Sequence, residues 1–276
     1  MDTRPIGVFD SGVGGLSILR QIRETLAQED LLFLADQLHV PYGNRSLSEV
    51  RQFSESITRF LLNQGAKLIV VACNTASAAA LHHLRTVFPG TPFVGMEPAV
   101  KPAAQSTHSR VVGVLATPAT FQGALFASVV ERFANDVVIL EQTLPGLVDQ
   151  IEAGELDGAT TREILRQAID PLLTQGVDTL VLACTHYPFI IPILTELVGP
   201  DVQVIDPSPA IARQVKRLLE RHALGTPADR TGRVIYHSST DAEQLALMAM
   251  RLIGEQGEAR FVHWSDDQIS LTSPSS

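Results

Sequence analysis

Cysteine is scarce in this chain, with two residues in 276. Two thiols do not make a disulfide framework, and Cys73 and Cys184, separated by 111 positions, form no C-x-x-C pair. Long hydrophobic runs are missing too. The apolar stretches LIVVAC and TLVLAC are strand-length and far short of a membrane span, so no membrane association is expected. The N-terminal MDTRPIGVFDSG runs into strand-like sequence without the basic stretch, apolar helix and cleavage site of a signal peptide. A cytoplasmic protein is the expectation. Basic clusters longer than a few residues are absent as well. With a formal net charge of −9 and a pI of about 5.3, nucleic acid is not expected as a partner.

What is present is the composition of a globular enzyme, 45% hydrophobic and 18% charged. Short β-branched runs alternate with helical stretches. Ile6–Phe9, Leu31–Leu34, Leu68–Ala72 and Phe93–Gly95 read as strands, separated by helices near Leu16–Leu26, Ser48–Leu62 and Ser77–Val87. Val111–Leu115, Val137–Leu140, Thr179–Ala183 and Val202–Ile205 continue the series. Arg233–His237, Glu243–Ile253 and Arg260–His263 add a strand, a helix and an edge strand. Continuous apolar strands between amphipathic helices predict parallel sheet covered on both faces.

An internal repeat supplies the domain organisation. GVFDS (Gly7–Ser11) is echoed by GVLAT (Gly113–Thr117) at an offset of 106, and AKLIVVACNT (Ala66–Thr75) by VDTLVLACTH (Val177–His186) at 111. VGMEP (Val94–Pro98) is echoed loosely by VIDPS (Val204–Ser208). The expected fold is α/β, with two similar Rossmann-like (flavodoxin-like) domains, mainly parallel sheets and an active site in the cleft between them. Residues 1–98 plus 207–276 would form the first, discontinuous domain and 99–206 the second. In open α/β sheets ligands bind beyond the carboxyl ends of strands, where Asp10, Cys73, Thr117 and Cys184 all stand.

Buried structural thiols are the ordinary use of free cysteine. The repeat argues for chemistry instead, since each Cys ends an apolar strand and is followed by polar capping residues, Asn74–Thr75 and Thr185–His186. A helix N-terminus at each site is expected to lower the thiol pKa from about 8.5. Two opposed thiols suit inversion of a stereocentre: one thiolate removes an α-proton and the other thiol returns a proton to the opposite face of a planar carbanion. Zinc normally needs three or four ligands at short spacings. SGVGG lacks a following Lys-Ser/Thr and breaks the G-x-G-x-x-G pattern at Ser17, so it reads as a tight turn rather than a nucleotide loop. Lys67 and Lys101 have no accompanying phosphate loop for pyridoxal phosphate. No cofactor and no metal are expected.

FDSGVGGLSIL (Phe9–Leu19), ADQLHVPYG (Ala35–Gly43), VVACNTASA (Val70–Ala78), LACTHYP (Leu182–Pro188) and the DPSPA turn (Asp206–Ala210) resemble the glutamate racemases of the aspartate/glutamate racemase superfamily. The resemblance spans essentially the whole chain. It implies that Cys73 abstracts the α-proton of D-glutamate and Cys184 that of L-glutamate, assisted by Asp10 and His186 respectively. Asp10, Ser11, Pro41, Tyr42, Gly43, Asn74, Thr75 and Thr185 match substrate-binding positions, and Thr117 and Thr120 add hydroxyls from the second domain. Asp36 and Glu152 match acidic positions of the family, with salt-bridge or cap roles the equal alternative. The resemblance further implies a homodimer and D-glutamate destined for peptidoglycan. A racemase of aspartate or a related substrate, or a non-catalytic binder of acidic amino acids, are the competing readings.

Overall fold

Strands sealed on both faces form the centre of the molecule. Every residue of β1 (Ile6–Asp10), β2 (Leu31–Ala35), β3 (Leu68–Val71) and a later strand, Thr179–Ala183, is buried. Such strands need helices on either side, and the alternation along the chain supplies them. The structure is a computed structural model describing residues 2–265 and 267–271; Met1 and 272–276, the ends of the expected first domain, lie outside the described residues.

After β3 come β4 (Phe93–Gly95), β5 (Val111–Ala116), β6 (Val138–Gln142), β7 (Thr179–Ala183) and β8 (Gln203–Ile205). The chain ends in β9 (Val234–Ser238), β10 (Glu258–Ser265) and β11 (Gln268–Leu271). Two sheets result, ordered β11-β10-β9-β2-β1-β3-β4 and β6-β5-β7-β8. The segment β2-β1-β3-β4 and the whole second sheet share one flavodoxin-like order, with β1 and β5 at equivalent central places. That is the geometry of the sequence repeat. All pairings are parallel except β10 with β11. One hydrophobic cluster contains Val8 and Val70 from the first sheet and Leu115 and Leu182 from the second, so the two α/β layers are packed on each other.

The sequence reading needs correction at the C-terminal end. Arg260–His263 is not an edge: β10 lies between β9 and β11, with Val262 fully buried and paired to Leu271. The true edge, β11, is a half-exposed strand with no apolar run to announce it. The DPSPA segment is less a turn than a helix start, because Asp206 accepts the Ser208 N–H at 2.8 Å at the head of helix Ser208–Arg221. Among the described residues no helix is long and apolar enough to cross a membrane.

Candidate active site

The carboxyl ends of the central strands of both sheets converge. Asp10 is the last residue of β1, Cys73 lies just past β3, Thr117 follows β5 and Cys184 follows β7. Between them is a narrow cavity of about 20 Å³, room for about one water molecule. Ser11, Pro41, Tyr42, Gly43, Cys73, Asn74, Thr75, Thr117, Thr120, Cys184, Thr185 and His186 line it, together with Val148 and Ala183. A larger cavity of about 640 Å³ opens at the opposite, amino-terminal edge of the first sheet, and neither thiol lines it.

Cys73 caps helix Asn74–Val87, which begins three residues earlier than the sequence suggested, and its sulfur accepts the Ala76 N–H at 3.5 Å. The helix N-terminus does not lower this thiol as expected. Burial, and then the neighbouring Asp10 carboxylate, push Cys73 well above the ordinary thiol range. Asp10 is itself buried. Its Oδ1 accepts the Ser11 N–H at 2.7 Å and its Oδ2 accepts the Thr185 hydroxyl at 3.0 Å, a bond that crosses from one sheet layer to the other. Burial raises the Asp10 carboxyl despite the opposing pull of the His186 charge and of these hydrogen bonds.

Cys184 has different company. Its sulfur lies 3.7 Å from His186 Nδ1, and His186 Nε2 lies 2.6 Å from Glu152 Oε1. The same carboxylate oxygen accepts the Val13 N–H at 2.7 Å. Burial works against an imidazolium at His186, but the Cys184 and Glu152 partners outweigh it and lift the ring well above its usual range. Glu152 is correspondingly lowered, its burial outweighed by the His186 bond and charge. Each thiol therefore faces a different proton-holding group, a carboxyl at Cys73 and an imidazole–carboxylate pair at Cys184.

The glycines of SGVGG have a specific task. A side-chain carbon on Gly14 would lie 2.5 Å from His186 Nδ1 and 2.7 Å from Thr185 Oγ1, and one on Gly12 would overlap the Glu152 carboxylate. The turn is bare so that groups of the second layer can close against it. Opposite, Thr75, Thr117 and Thr120 form a triangle of hydroxyls 2.9, 3.0 and 3.3 Å apart. Both polar atoms of the buried Asn74 side chain lack a hydrogen-bond partner within the protein, an arrangement that is costly unless a ligand completes it.

Of the residues singled out in the sequence, Asp10 and Glu152 stand behind the cavity wall on groups that line it, and Asp36 is engaged by Tyr42 at 2.6 Å. Val148, in helix Leu147–Glu152, lines the cavity without having been anticipated. A single apolar residue outside the repeated motifs carries no signal. Among the described residues no group of three or more His, Cys, Asp or Glu side chains is arranged to hold a metal ion.

Comparison with known proteins points the same way as the paired strand ends. The chain is 52% identical to a glutamate racemase of Ectopseudomonas mendocina over 256 residues, covering 92% of this chain and 96% of that protein. The crystal structure of Thermus thermophilus glutamate racemase with β-chloro-D-alanine superposes at a TM-score of 0.80 and 36% identity, covering 97% of this chain and 99% of the other. That of Francisella tularensis glutamate racemase with D-glutamate gives 0.82 at 26% identity, covering 96% and 98%. A family model for Asp/Glu/Hydantoin racemases matches residues 6–215, from the first residue of β1 into helix Ser208–Arg221 and across both thiols. The chain belongs to the Asp/Glu/Hydantoin racemase family.

Proposed function

We propose that the chain is an isomerase that interconverts L- and D-glutamate without a cofactor, with Cys73 and Cys184 acting on opposite faces of the α-carbon. The observation that carries this reading is the pairing of two thiols from equivalent strand ends in one narrow cavity lined by hydroxyl-bearing side chains, each beside its own proton-holding group.

Starting from L-glutamate, the Cys184 sulfur takes the α-proton as a thiolate. The electron pair left on Cα delocalises into the α-carboxylate, and the Cys73 thiol then gives its proton to the other face. The balance is one proton in and one out, and the next turnover in the same direction requires both sulfurs to be reset. The high affinity of Cys73 for its proton suits the donor in this direction. In reverse, Asp10, also raised by burial, is placed to draw the proton from Cys73. His186, held as an imidazolium by its Cys184 and Glu152 partners, places a positive charge and an exchangeable proton beside the Cys184 sulfur.

Among the described residues no Lys or Arg lines the cavity. Substrate carboxylates would be held by the Thr75, Thr117, Thr120 and Thr185 hydroxyls, by the Asn74 amide and by backbone N–H groups near Ser11 and Gly43. Glutamate needs more than the roughly 20 Å³ free among these residues, so the lining has to widen on binding, and parting of residues 1–98 plus 207–276 from residues 99–206 would widen it. Family resemblance supports a cytoplasmic homodimer whose D-glutamate serves peptidoglycan synthesis. The test is chiral analysis of glutamate and aspartate incubated with purified, metal-free protein. Either glutamate enantiomer should drift to the racemic mixture while aspartate stays unchanged; inert glutamate would overturn the proposal.

A further inference from the structure

The carboxylate of Asp36, at the carboxyl side of β2, is fully buried and bound by four donors. On Oδ2 they are the Tyr42 hydroxyl at 2.6 Å and His39 Nδ1 at 2.8 Å; on Oδ1 they are the Trp264 indole N–H at 2.9 Å and the Ser239 hydroxyl at 3.1 Å. The two oxygens thus serve different parts of the chain. One holds the loop that presents Pro41, Tyr42 and Gly43 to the cavity, and the other is held by the C-terminal strands.

Trp264 is the single tryptophan of the chain and does not itself line the cavity. Its ring meets His39 edge-on at 5.0 Å and Phe53 at 5.8 Å, while His39 stacks on Phe53 at 4.0 Å. Ser56, on helix Leu47–Asn63, bonds to the Asp267 carbonyl and fixes the β10–β11 hairpin over this cluster. A buried carboxylate with both oxygens occupied has a defined plane. When one side loses its donor, the group turns or draws in water, and the partners on the other side lose their reference.

We propose that Trp264 is a positioning residue for substrate: through Asp36 its indole N–H orients the Tyr42 hydroxyl and so sets the Pro41–Gly43 edge of the cavity. This rests on the cavity being the glutamate site. The indole acts on binding rather than on proton transfer, because the side chains of Trp264 and Asp36 bond to neither thiol and to neither the Asp10 carboxyl nor the His186 ring, and the one link to Asp10 is the main-chain Asp36 N–H on its carbonyl at 3.0 Å.

The test is Trp264→Phe, which keeps an aromatic ring against His39 and Phe53 and removes only the donor. KM for both glutamate enantiomers should rise roughly five- to tenfold, about what one ordinary hydrogen bond is worth, with kcat within about twofold of the parent. Combining it with Asp36→Ala should add no further KM increase beyond that of Asp36→Ala alone. In the parent protein, where emission comes from Trp264 alone, D-glutamate should change the fluorescence saturably with a midpoint near KM. An unchanged KM, a loss confined to kcat, additive KM effects in the double variant, or a flat fluorescence titration of an active parent would each overturn the inference. Absence of racemisation by the parent overturns the proposed function instead, so the two failures are distinguishable.

Discussion

Cys73 accepts a helix-terminal N–H, which favours a thiolate, yet burial beside Asp10 favours the thiol, and burial wins. The local rule was legible in the sequence because helix starts are marked by capping residues. The desolvation was not, because it comes from residues scattered along the chain that the fold packs around the sulfur, Tyr42 from the loop after β2 and Cys184 and Thr185 from across the cavity among them. Pairing of Cys184 with His186 was within reach, being two residues apart, whereas the Glu152 partner had only its family likeness to recommend it. If each sulfur works as a base in one direction and an acid in the other, Cys73→Ala and Cys184→Ala should each lower racemisation by ~10²–10⁴-fold or more in both directions. Steady-state rates by circular dichroism check this, and near-parental turnover in either variant would remove that thiol from the chemistry.

Two elements show how secondary structure serves the site. The Val13–Gly15 turn gives close access to the groups of the opposite layer, so Gly14→Ala should drive His186 or the whole layer away and lower kcat about tenfold or more. Gly90→Ala, at a position with open space and no unusual backbone, provides the matched control and should leave turnover unchanged. Equal rates in the two variants would contradict the close-approach argument. Strand β9 carries His237, fully buried, edge-on to Phe60 and without a partner for either ring nitrogen; burial lowers its pKa to about 4. The unfolded chain therefore binds this proton from about pH 6.5 downward while the native protein refuses it until about pH 4. Stability is complete above that window and lost as pH falls through it. Denaturant titrations at pH 7 and pH 4.5 should show His237→Leu losing roughly 2 kcal/mol less than the parent on acidification; equal losses would refute the assignment. The inner strands were readable from sequence because burial on both faces leaves an uninterrupted apolar run. β11 and the rank of β10 were not, since an outer strand with one face toward water borrows its apolar partner from elsewhere.

At the scale of the molecule, the repeat seen in the sequence became two sheets of like order whose strand ends meet, and that symmetry brings one thiol to each side of a single cavity. The symmetry is incomplete where it matters. Asp10 attends one sulfur and His186 with Glu152 the other, so the halves are matched in place and different in proton affinity. The central claim is that two separate sulfurs, on opposite faces, share the proton work. Isotope incorporation tests it most directly: L-glutamate is incubated with the protein in deuterated water, and the enantiomers are separated at low conversion and weighed by mass spectrometry. If Cys184 removes the proton and Cys73, already exchanged with solvent, supplies its replacement, nearly every early D-glutamate molecule carries deuterium at Cα while recovered L-glutamate carries little. Early D-glutamate that largely keeps its original hydrogen would contradict the account, since a single base would then be carrying the proton from one face to the other.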